Sequence, residues 1–383
     1  MPQQFGDHVK LIRRSDSEPG VVDDVTESPP QAIEVAQWSS IELTPVNSKE
    51  ALIWRPGMRV LKVELSVPHP FAIAIANGEL LGRARIGPAD HHLSAFAIRN
   101  LLSASQGLIV PLWADLPPPG READHLALRR LDLGLAGLAR AFLEFEDEIG
   151  DNIARHVWDS GIVALAVLAN LCARVPHSNP TLSMPRLRDV LLQAGKLHVL
   201  EVGCGIGTVG IGVATLLQAC ADNQLPDAFI LLTDLPDAEE RAVANIVRFQ
   251  KSAAGRGTGA KIRLEYDNLD WEDGRNGVFP AKVESTPWDL VILSDCTYNT
   301  DTLPALVQTL SALEGLAGQS GIGQSAHSGP KALVVTKERH SSEKYFFELM
   351  TRAGWTVLES LSLPLPVLVA ASESIELYLF GKG

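Results

Sequence analysis

Short apolar runs alternate with longer amphipathic segments from about residue 158 onward. The runs have the length of buried strands, and the segments between them have helical spacing. This pattern predicts strands at 198–202, 229–233, 262–266, 290–294 and 332–336, and helices at 209–219, 238–250, 303–313 and 343–353. Strands that alternate with helices in this way are typical of an α/β fold with a parallel sheet.

Two further apolar runs follow, at 356–360 and 375–380. The residues between them are too few for a helical crossover, so we expect these two runs to pair as an antiparallel hairpin. Two stretches rich in glycine and serine, 252–260 and 318–329, interrupt the pattern and predict surface loops.

The N-terminal part of the chain has a different pattern. Few large apolar residues occur up to residue 36, which predicts a flexible tail over 1–36. Strand-like runs at 60–67 and 71–75 predict a β-rich region, and leucines between 126 and 138 predict a helix, with the acidic segment 144–151 as a solvated helix face. We therefore expect a β-rich and partly helical accessory region at 37–150 and a catalytic domain at 151–383.

Composition and charge narrow the function classes. Of the 383 residues, 46% are hydrophobic and 21% are charged, as in an ordinary globular protein. The net charge of −13 disfavours nucleic acid as a partner, and the apolar stretches fall short of the roughly 20 residues that a bilayer span requires. Four sparse cysteines without a paired motif indicate reduced thiols. A monomer in the cytoplasm or nucleus, without a membrane partner, is the expectation.

A glycine-rich turn after the first predicted strand carries the strongest signal for chemistry. Gly205, Gly207 and Gly210 fit the dinucleotide pattern G-x-G-x-x-G. In a second frame, Glu201 precedes Gly203, Gly205 and Gly207, an arrangement expected where a loop that includes Cys204 holds the amino-acid part of S-adenosylmethionine and a carboxylate meets its ammonium. A tight turn without a ligand is the structural alternative.

Polar and aromatic residues follow the other predicted strands. Asp234 can accept hydrogen bonds from both ribose hydroxyls or simply cap the next helix, and Trp271 can lie against an adenine face or belong to the core. Asp295 and Tyr298 follow the fourth strand. Because ligands of open α/β sheets bind at the carboxyl ends of the strands, we expect this pair to point into the site, with a loop cap and a packing tyrosine as the alternative.

Taken in order and spacing, these segments resemble methyltransferase family 16, the seven-strand S-adenosylmethionine-dependent lysine methyltransferases, and the version here is most similar to fungal members. The resemblance covers about 155–380 and is carried by Trp158-Asp-Ser-Gly, the glycine loop, Thr233-Asp-Leu-Pro, Leu269-Asp-Trp271 and Ser294-Asp-Cys-Thr-Tyr298. It implies a Rossmann-like seven-stranded sheet with an antiparallel C-terminal hairpin. It also implies cofactor contacts from Trp158, the glycine loop at 203–205, Asp234, Trp271 and Ser294.

In that family a D-x-x-Y motif borders the substrate lysine. Asp295 and Tyr298 match this motif here. We expect Asp295 to recruit and orient the ammonium group and Tyr298 to form a wall of the channel. The implied partner is a protein substrate, of the elongation-factor or chaperone class. Methylation of a small amine and a non-catalytic, cofactor-binding scaffold stay open as alternatives, and a dehydrogenase is the least favoured.

Overall fold

The computed structural model describes residues 97–98, 126–134, 141–148, 152–173, 182–220, 227–252, 261–316, 329–365 and 373–382, and the backbone alone of 9–14, 22–24, 42–45, 71–76, 83–88, 96, 112–115, 253 and 317–319. The predicted strand at 60–67 lies outside the described residues, as do most of 1–36, 37–125 and parts of the two glycine- and serine-rich stretches.

Sixteen strands occur in the described part of the chain. The first nine are β1 Val9–Arg14, β2 Val22–Asp24, β3 Glu42–Pro45, β4 Phe71–Ala76, β5 Arg83–Pro88, β6 Phe96–Ala97, β7 Leu112–Asp115, β8 Leu126–Asp132 and β9 Phe142–Glu148. The remaining seven are β10 Lys196–Val202, β11 Asp227–Asp234, β12 Ile262–Asn268, β13 Leu290–Ser294, β14 Lys331–Thr336, β15 Trp355–Leu365 and β16 Glu373–Lys382.

Eight α-helices accompany these strands in the same described residues. They are α1 Asp159–Cys172, α2 Pro185–Leu191, α3 Thr208–Ala219, α4 Pro236–Ala253, α5 Trp271–Arg275, α6 Ala281–Ser285, α7 Leu303–Gln319 and α8 Tyr345–Arg352. Short 3₁₀ turns lie at Ile153–Arg155 and Ser341–Lys344.

The last seven strands form one sheet in the order β12-β11-β10-β13-β14-β16-β15. The first five of these pair in parallel, whereas β16 runs antiparallel to both β14 and β15. This confirms the predicted α/β fold, the seven-stranded Rossmann-like sheet and the antiparallel C-terminal hairpin. Strand order reverses between β10 and β13, which is where open α/β sheets bind their ligands.

Helices cover both faces of this sheet. Alternate strand residues divide between two apolar clusters, since Val199 and Ile230 belong to one and Leu200 and Leu231 to the other. The first cluster includes side chains of α1, α3 and α4, and the second includes side chains of α7 and α8. None of the helices in the described part of the chain has the length and apolar character needed to cross a membrane.

The segment predicted as a helix with an acidic face is instead an antiparallel strand pair, β8 and β9. Leu143, Phe145 and Asp147 are buried and their neighbours are partly exposed, so the burial period is two rather than 3.6. Acidic side chains occupy the alternate positions 144, 146 and 148. The inward residues Leu143 and Phe145 belong to the same apolar cluster as α3, so tertiary packing decided between the two periods.

The N-terminal strands form a second sheet in the order β5-β4-β7-β8-β6, with β9 paired to β8, and a third in the order β2-β1-β3. This agrees with a β-rich accessory region. Strands β1 and β2 lie within the segment 1–36 that was predicted as a flexible tail. They pair with each other, and β1 also pairs with β3 some 30 residues away, a contact that local composition does not indicate. The domain boundary at residue 150 stays a prediction. Although β9 precedes that residue, its Leu143 and Phe145 pack in the same apolar cluster as helices of the predicted catalytic domain.

Candidate functional site

The glycine loop between β10 and α3 is held against the end of β11. The backbone N–H groups of Gly203 and Cys204 both donate to the carbonyl of Thr233, at 2.9 and 3.0 Å. The N–H of Gly205 donates to Oδ2 of Asp234 at 2.7 Å. The loop therefore lies at the carboxyl edge of the sheet, where the sequence predicted it, with its shape fixed by the neighbouring strand.

Asp234 is a nearly buried acceptor at the end of β11. Its Oδ1 atom also accepts from the N–H of Leu235 at 2.7 Å. Burial raises the pKa of this carboxyl group, and the two backbone donors oppose that rise. A carboxylate has about four acceptor positions, so each oxygen still has a lone pair for a ribose hydroxyl.

Glu201 does not face a ligand as a free carboxylate. Only 1% of the residue is exposed, and its Oε2 atom accepts from the N–H of Gly210 inside α3 at 2.8 Å. A Cβ atom at Gly210 would lie 2.6 Å from that oxygen, so this contact requires glycine. Burial raises the pKa of Glu201 to about 8. In the structure this carboxyl group lies beneath the loop and anchors the start of α3, and the predicted pairing with an ammonium stays a prediction.

The turn after β13 contacts the glycine loop directly. A Cβ atom at Gly203 would lie 2.6 Å from Sγ of Cys296 and 3.3 Å from the Trp271 ring. The Cys296 thiol donates to the carbonyl of Val202 at 3.3 Å, and burial raises its pKa. Gly203, Trp271 and Cys296 thus meet at one point, which brings the third and fourth strand ends to the loop as predicted.

Asp295 has a partner that the sequence did not predict. Its Oδ1 atom is 2.8 Å from Nη1 of Arg339, and its side chain is 3% exposed. The N–H of Ser160, at the start of α1, points to Oδ2 at 3.4 Å. Asp295 also has φ of 58°, in the left-handed region that non-glycine residues seldom adopt. Because a guanidinium already neutralises this buried carboxylate, it offers no free charge to a substrate ammonium.

Arg339 connects this turn to Trp158. Its guanidinium lies over the Trp158 ring, 5.3 Å from the centroid, and Nε1 of Trp158 donates to the carbonyl of Ile153 at 3.1 Å. The carbonyl of Ala154 is 3.1 Å from a Cβ placed on Gly205. The segment before α1 therefore passes over the glycine loop, and Trp158 lies at its end.

Tyr298 lies at the surface of the site, with 54% of the residue exposed. Partial burial raises the pKa of its hydroxyl, so the ring stays neutral at physiological pH. Its exposure agrees with a position at the entrance rather than in the core.

The loop after β14 supplies residues that sequence reasoning missed. Oε1 of the buried Glu343 accepts from the N–H groups of Arg339 and His340, at 3.2 and 3.1 Å. The hydroxyls of Thr297 and Thr336 are 2.6 Å apart and join this loop to the turn after β13. The sequence could have indicated these residues, because ligands of open α/β sheets bind at the carboxyl ends of strands, and β14 ends at the same edge as β13.

The residues present fit S-adenosylmethionine. The Ser294 hydroxyl, at the carboxyl end of β13, is buried and has no hydrogen-bond partner within the described protein. A ligand hydroxyl or amine would satisfy it. Together with the spare acceptor positions of Asp234 and the Trp271 ring beside Gly203, the edge of the sheet has polar and aromatic groups for a nucleoside.

Comparison with known proteins identifies the family. A model of methyltransferase family 16, described as lysine methyltransferase, matches residues 138–353, more than half of the chain. The chain is also 24% identical over 289 residues to a UPF0665 family protein of Schizosaccharomyces pombe, across 73% of this chain and 74% of that protein.

Solved structures of methyltransferases are similar to the chain at low identity. An O-methyltransferase family protein from Burkholderia thailandensis is 16% identical (TM-score 0.34, 57% of this chain, 60% of that chain). An arsenic(III) S-adenosylmethionine methyltransferase from Chlamydomonas reinhardtii is also 16% identical (TM-score 0.33, 57% and 73%). The structure of SMU.776, a complex with SAH, is 12% identical (TM-score 0.38, 70% and 58%).

In the first and third of these structures the match spans less than two thirds of the other chain. These structures do not establish the fold, which is instead assigned from the strand order of the seven-stranded sheet. The activity is assigned from the family model. The chain belongs to methyltransferase family 16 and is an S-adenosylmethionine-dependent methyltransferase.

Proposed function

We propose that this protein methylates a lysine side chain of a protein substrate. The observation that carries the proposal is the contact between the turn that includes Asp295 and Tyr298 and the glycine loop, through Cys296 and Gly203. In the family described as lysine methyltransferase, a turn of this kind borders the substrate. The proposal is supported because this turn adjoins the glycine loop, as a methyl transfer between the two would require.

Cofactor binding would involve four parts of the chain. The backbone of Gly203 and Gly205 would let a ligand approach the loop closely, Asp234 would accept hydrogen bonds from the ribose, and the Trp271 ring would offer an aromatic face to the base. The Ser294 hydroxyl gains a partner. When bound, S-adenosylmethionine supplies an electrophilic methyl group on a sulfonium. The residues named here hold that group in a fixed orientation relative to the incoming nucleophile.

The nucleophile has to be a neutral amine, although a free lysine has a pKa of about 10.4. A partly apolar channel beside Tyr298 would lower the lysine pKa by desolvation. The ion pair between Asp295 and Arg339 fixes the turn that presents Tyr298, and Arg339 also lies over the ring of Trp158. Asp295 therefore acts through Arg339. No residue in the described site is placed as a dedicated base, so the proton leaves to water.

The exposure of Tyr298 favours a protein substrate over a small amine. More than half of this residue is open to solvent, so a lysine on another protein can reach the site without the substrate being enclosed. The resemblance suggests an elongation factor or a chaperone as that protein. Methylation of a small amine is the second candidate.

The test begins with calorimetry of the full chain with S-adenosylmethionine and with NAD. We expect binding of the first alone, and binding of NAD alone would overturn the cofactor assignment. The protein is then incubated with methyl-labelled S-adenosylmethionine and a fungal lysate, and the label is followed in protein bands and in the small-molecule fraction. Mass spectrometry of a labelled band should show methylated lysine.

A matched pair of variants controls for nonspecific labelling. Tyr298→Ala should lower transfer to the protein band at least tenfold with cofactor affinity unchanged. Val278→Ala, at an exposed apolar residue away from the turn, should have no effect. Label that appears only in small molecules would favour the amine alternative, and binding without any transfer would favour the scaffold.

A further inference from the structure

A fully buried asparagine in α4 connects the accessory strand β9 with the glycine loop. Asn245 is 0% exposed. Its Oδ1 atom accepts from the N–H of Glu146 at 2.8 Å, and its Nδ2 donates to the carbonyl of Glu146 at 2.9 Å. The same Nδ2 donates to the carbonyl of Ile206 at 3.1 Å. One side chain thus pairs with the backbone of β9 and with the backbone of the loop.

Strand β9 is fixed at this point by charge as well. Glu146 forms ion pairs with two arginines of α4: Nη1 of Arg241 is 3.0 Å from its Oε2 atom, and Arg248 contacts its Oε1 atom. Arg241 is itself buried. The backbone of Glu146 therefore has little freedom to move relative to α4, and Asn245 has a rigid partner on the strand side.

On the other side, Asn245 holds a residue inside the loop. Ile206 lies between Gly205 and Gly207, both of which have positive φ and so tolerate several backbone conformations. Its carbonyl has Asn245 as a donor from outside the loop. Without that donor, a buried carbonyl would lose its partner, which favours loop conformations that expose it to water.

A second connection runs in parallel. Arg155 forms an ion pair with Glu148 of β9 at 3.0 Å and donates from Nε to the carbonyl of Asp237 at 2.8 Å. The adjacent Ala154 passes over Gly205. Strand β9 is thus connected to the glycine loop in two ways. Asn245 bonds to both, and the segment at 153–155 contacts Glu148 of β9 through Arg155 and Gly205 of the loop through Ala154.

We propose that Asn245 is a positioning residue for the S-adenosylmethionine site, and that strand β9 acts on cofactor affinity through it. The inference rests on the proposed placement of the cofactor at the glycine loop. Asn245 itself touches neither the cofactor nor the substrate. Its contribution is to hold the Ile206 carbonyl, and with it the loop, in the conformation that binds.

The experiment compares Asn245→Ala with Asn170→Ala in the full chain. Asn170 is also a buried asparagine, in α1, and its Oδ1 atom has no hydrogen-bond partner within the described residues. Asn245→Ala should lower the melting temperature of the cofactor-free protein, because it leaves backbone groups of Glu146 and Ile206 without their partner. Calorimetry should give a Kd for S-adenosylmethionine at least tenfold higher for Asn245→Ala and within twofold of wild type for Asn170→Ala. The cofactor-induced rise in melting temperature should shrink for Asn245→Ala alone.

A second measurement needs no variant and covers the case in which Asn245→Ala fails to fold. In the wild-type protein, S-adenosylmethionine should slow amide hydrogen exchange in residues 142–148 as well as in the loop, and leave residues 355–365 unchanged. Wild-type protein that binds no cofactor would refute the proposed function. Wild-type protein that binds, with normal affinity in Asn245→Ala or with no protection of 142–148, would refute the role of Asn245.

Discussion

Three carboxyl groups at the edge of the sheet differ in their surroundings, and the differences decide what each can do. Glu201 is enclosed beneath the loop and bonded to Gly210. Asp234 binds two backbone N–H groups and retains acceptor capacity. Asp295 is paired with Arg339. Residue type and position were predictable from the motifs, whereas the partner of each carboxyl group was not, because the partners come from other strands.

The raised pKa of Glu201 predicts a pH effect on stability. Its folded pKa, about 8, exceeds the unfolded value, so the folded state binds the extra proton between about pH 4.5 and 8. The free energy of unfolding should therefore fall as pH rises through that window, by on the order of 3 to 5 kcal/mol from this group. Glu201→Gln keeps an acceptor for Gly210 and cannot ionise.

Urea unfolding of wild type and Glu201→Gln at pH 5, 6.5 and 8 checks this expectation. The variant should lose less stability than wild type between pH 5 and 8. Glu265→Gln is a control, because its folded pKa is lowered by its partners Arg263 and Lys282 and contributes the opposite slope at acidic pH. Parallel curves for wild type and Glu201→Gln would show that Glu201 is ionised in the folded protein.

The ion pair at Asp295 predicts a second effect at the residue scale. Asp295→Asn retains a side chain that tolerates the left-handed backbone, and it leaves the guanidinium of Arg339 without its charge partner. We expect a loss of about 1 to 3 kcal/mol of stability and at least a tenfold loss of methyl transfer, with cofactor affinity changed less.

The paired variant Arg339→Met distinguishes the two roles of Asp295. If Asp295 acts through Arg339, Arg339→Met should lower methyl transfer to a similar degree, and the double variant should lose less than the sum of the single losses. Turnover equal to or above that of wild type in Arg339→Met would instead mean that the freed carboxylate of Asp295 binds the substrate ammonium, as the motif alone suggested.

At the scale of elements, the strand pair β8 and β9 shows why local spacing misled. The leucines between 126 and 138 fit a helical stripe, and the acidic residues from 144 fit its solvated face. In the fold, the acidic positions alternate with Leu143 and Phe145, which pack into the core with α3. A short segment with both spacings is ambiguous, and the choice depends on the surface that is available to cover it.

Phe145→Ala tests the contribution of β9 to the catalytic core. Phe145 is fully buried, so its truncation should cost about 3 to 5 kcal/mol. Phe142→Ala removes the same atoms from the partly exposed face of the same strand, where Arg130 lies over the ring, and should cost less than half as much. Denaturant midpoints measure both. A larger cost for Phe142→Ala than for Phe145→Ala would mean that β9 packs with the opposite face inward, and equal costs would mean that Phe145 contributes no more to the core than Phe142.

At the scale of the whole molecule, the regular alternation of elements determined most of the fold. In the catalytic domain all five predicted parallel strands and all four predicted helices occur, and so does the antiparallel hairpin at the end. The strands have short, continuous apolar runs and the helices have amphipathic spacing, and these local signals agree with the environment of each element in the fold. The glycine loop and candidate residues after β11, β12 and β13 were likewise identified, because parallel strands must end at one edge of the sheet, whereas the residues after β14 were missed.

What the tertiary structure alone decided is how side chains from distant segments pair. Arg339 reaches Asp295 across two neighbouring strand ends, and Asn245 joins residues 146 and 206. The burial of Glu201 beneath α3 is of the same kind. Sequence by itself established the elements, the edge where the site forms and the class of cofactor. The electrostatic state of the site depends on contacts between residues far apart in the chain, and no local pattern encodes those distances.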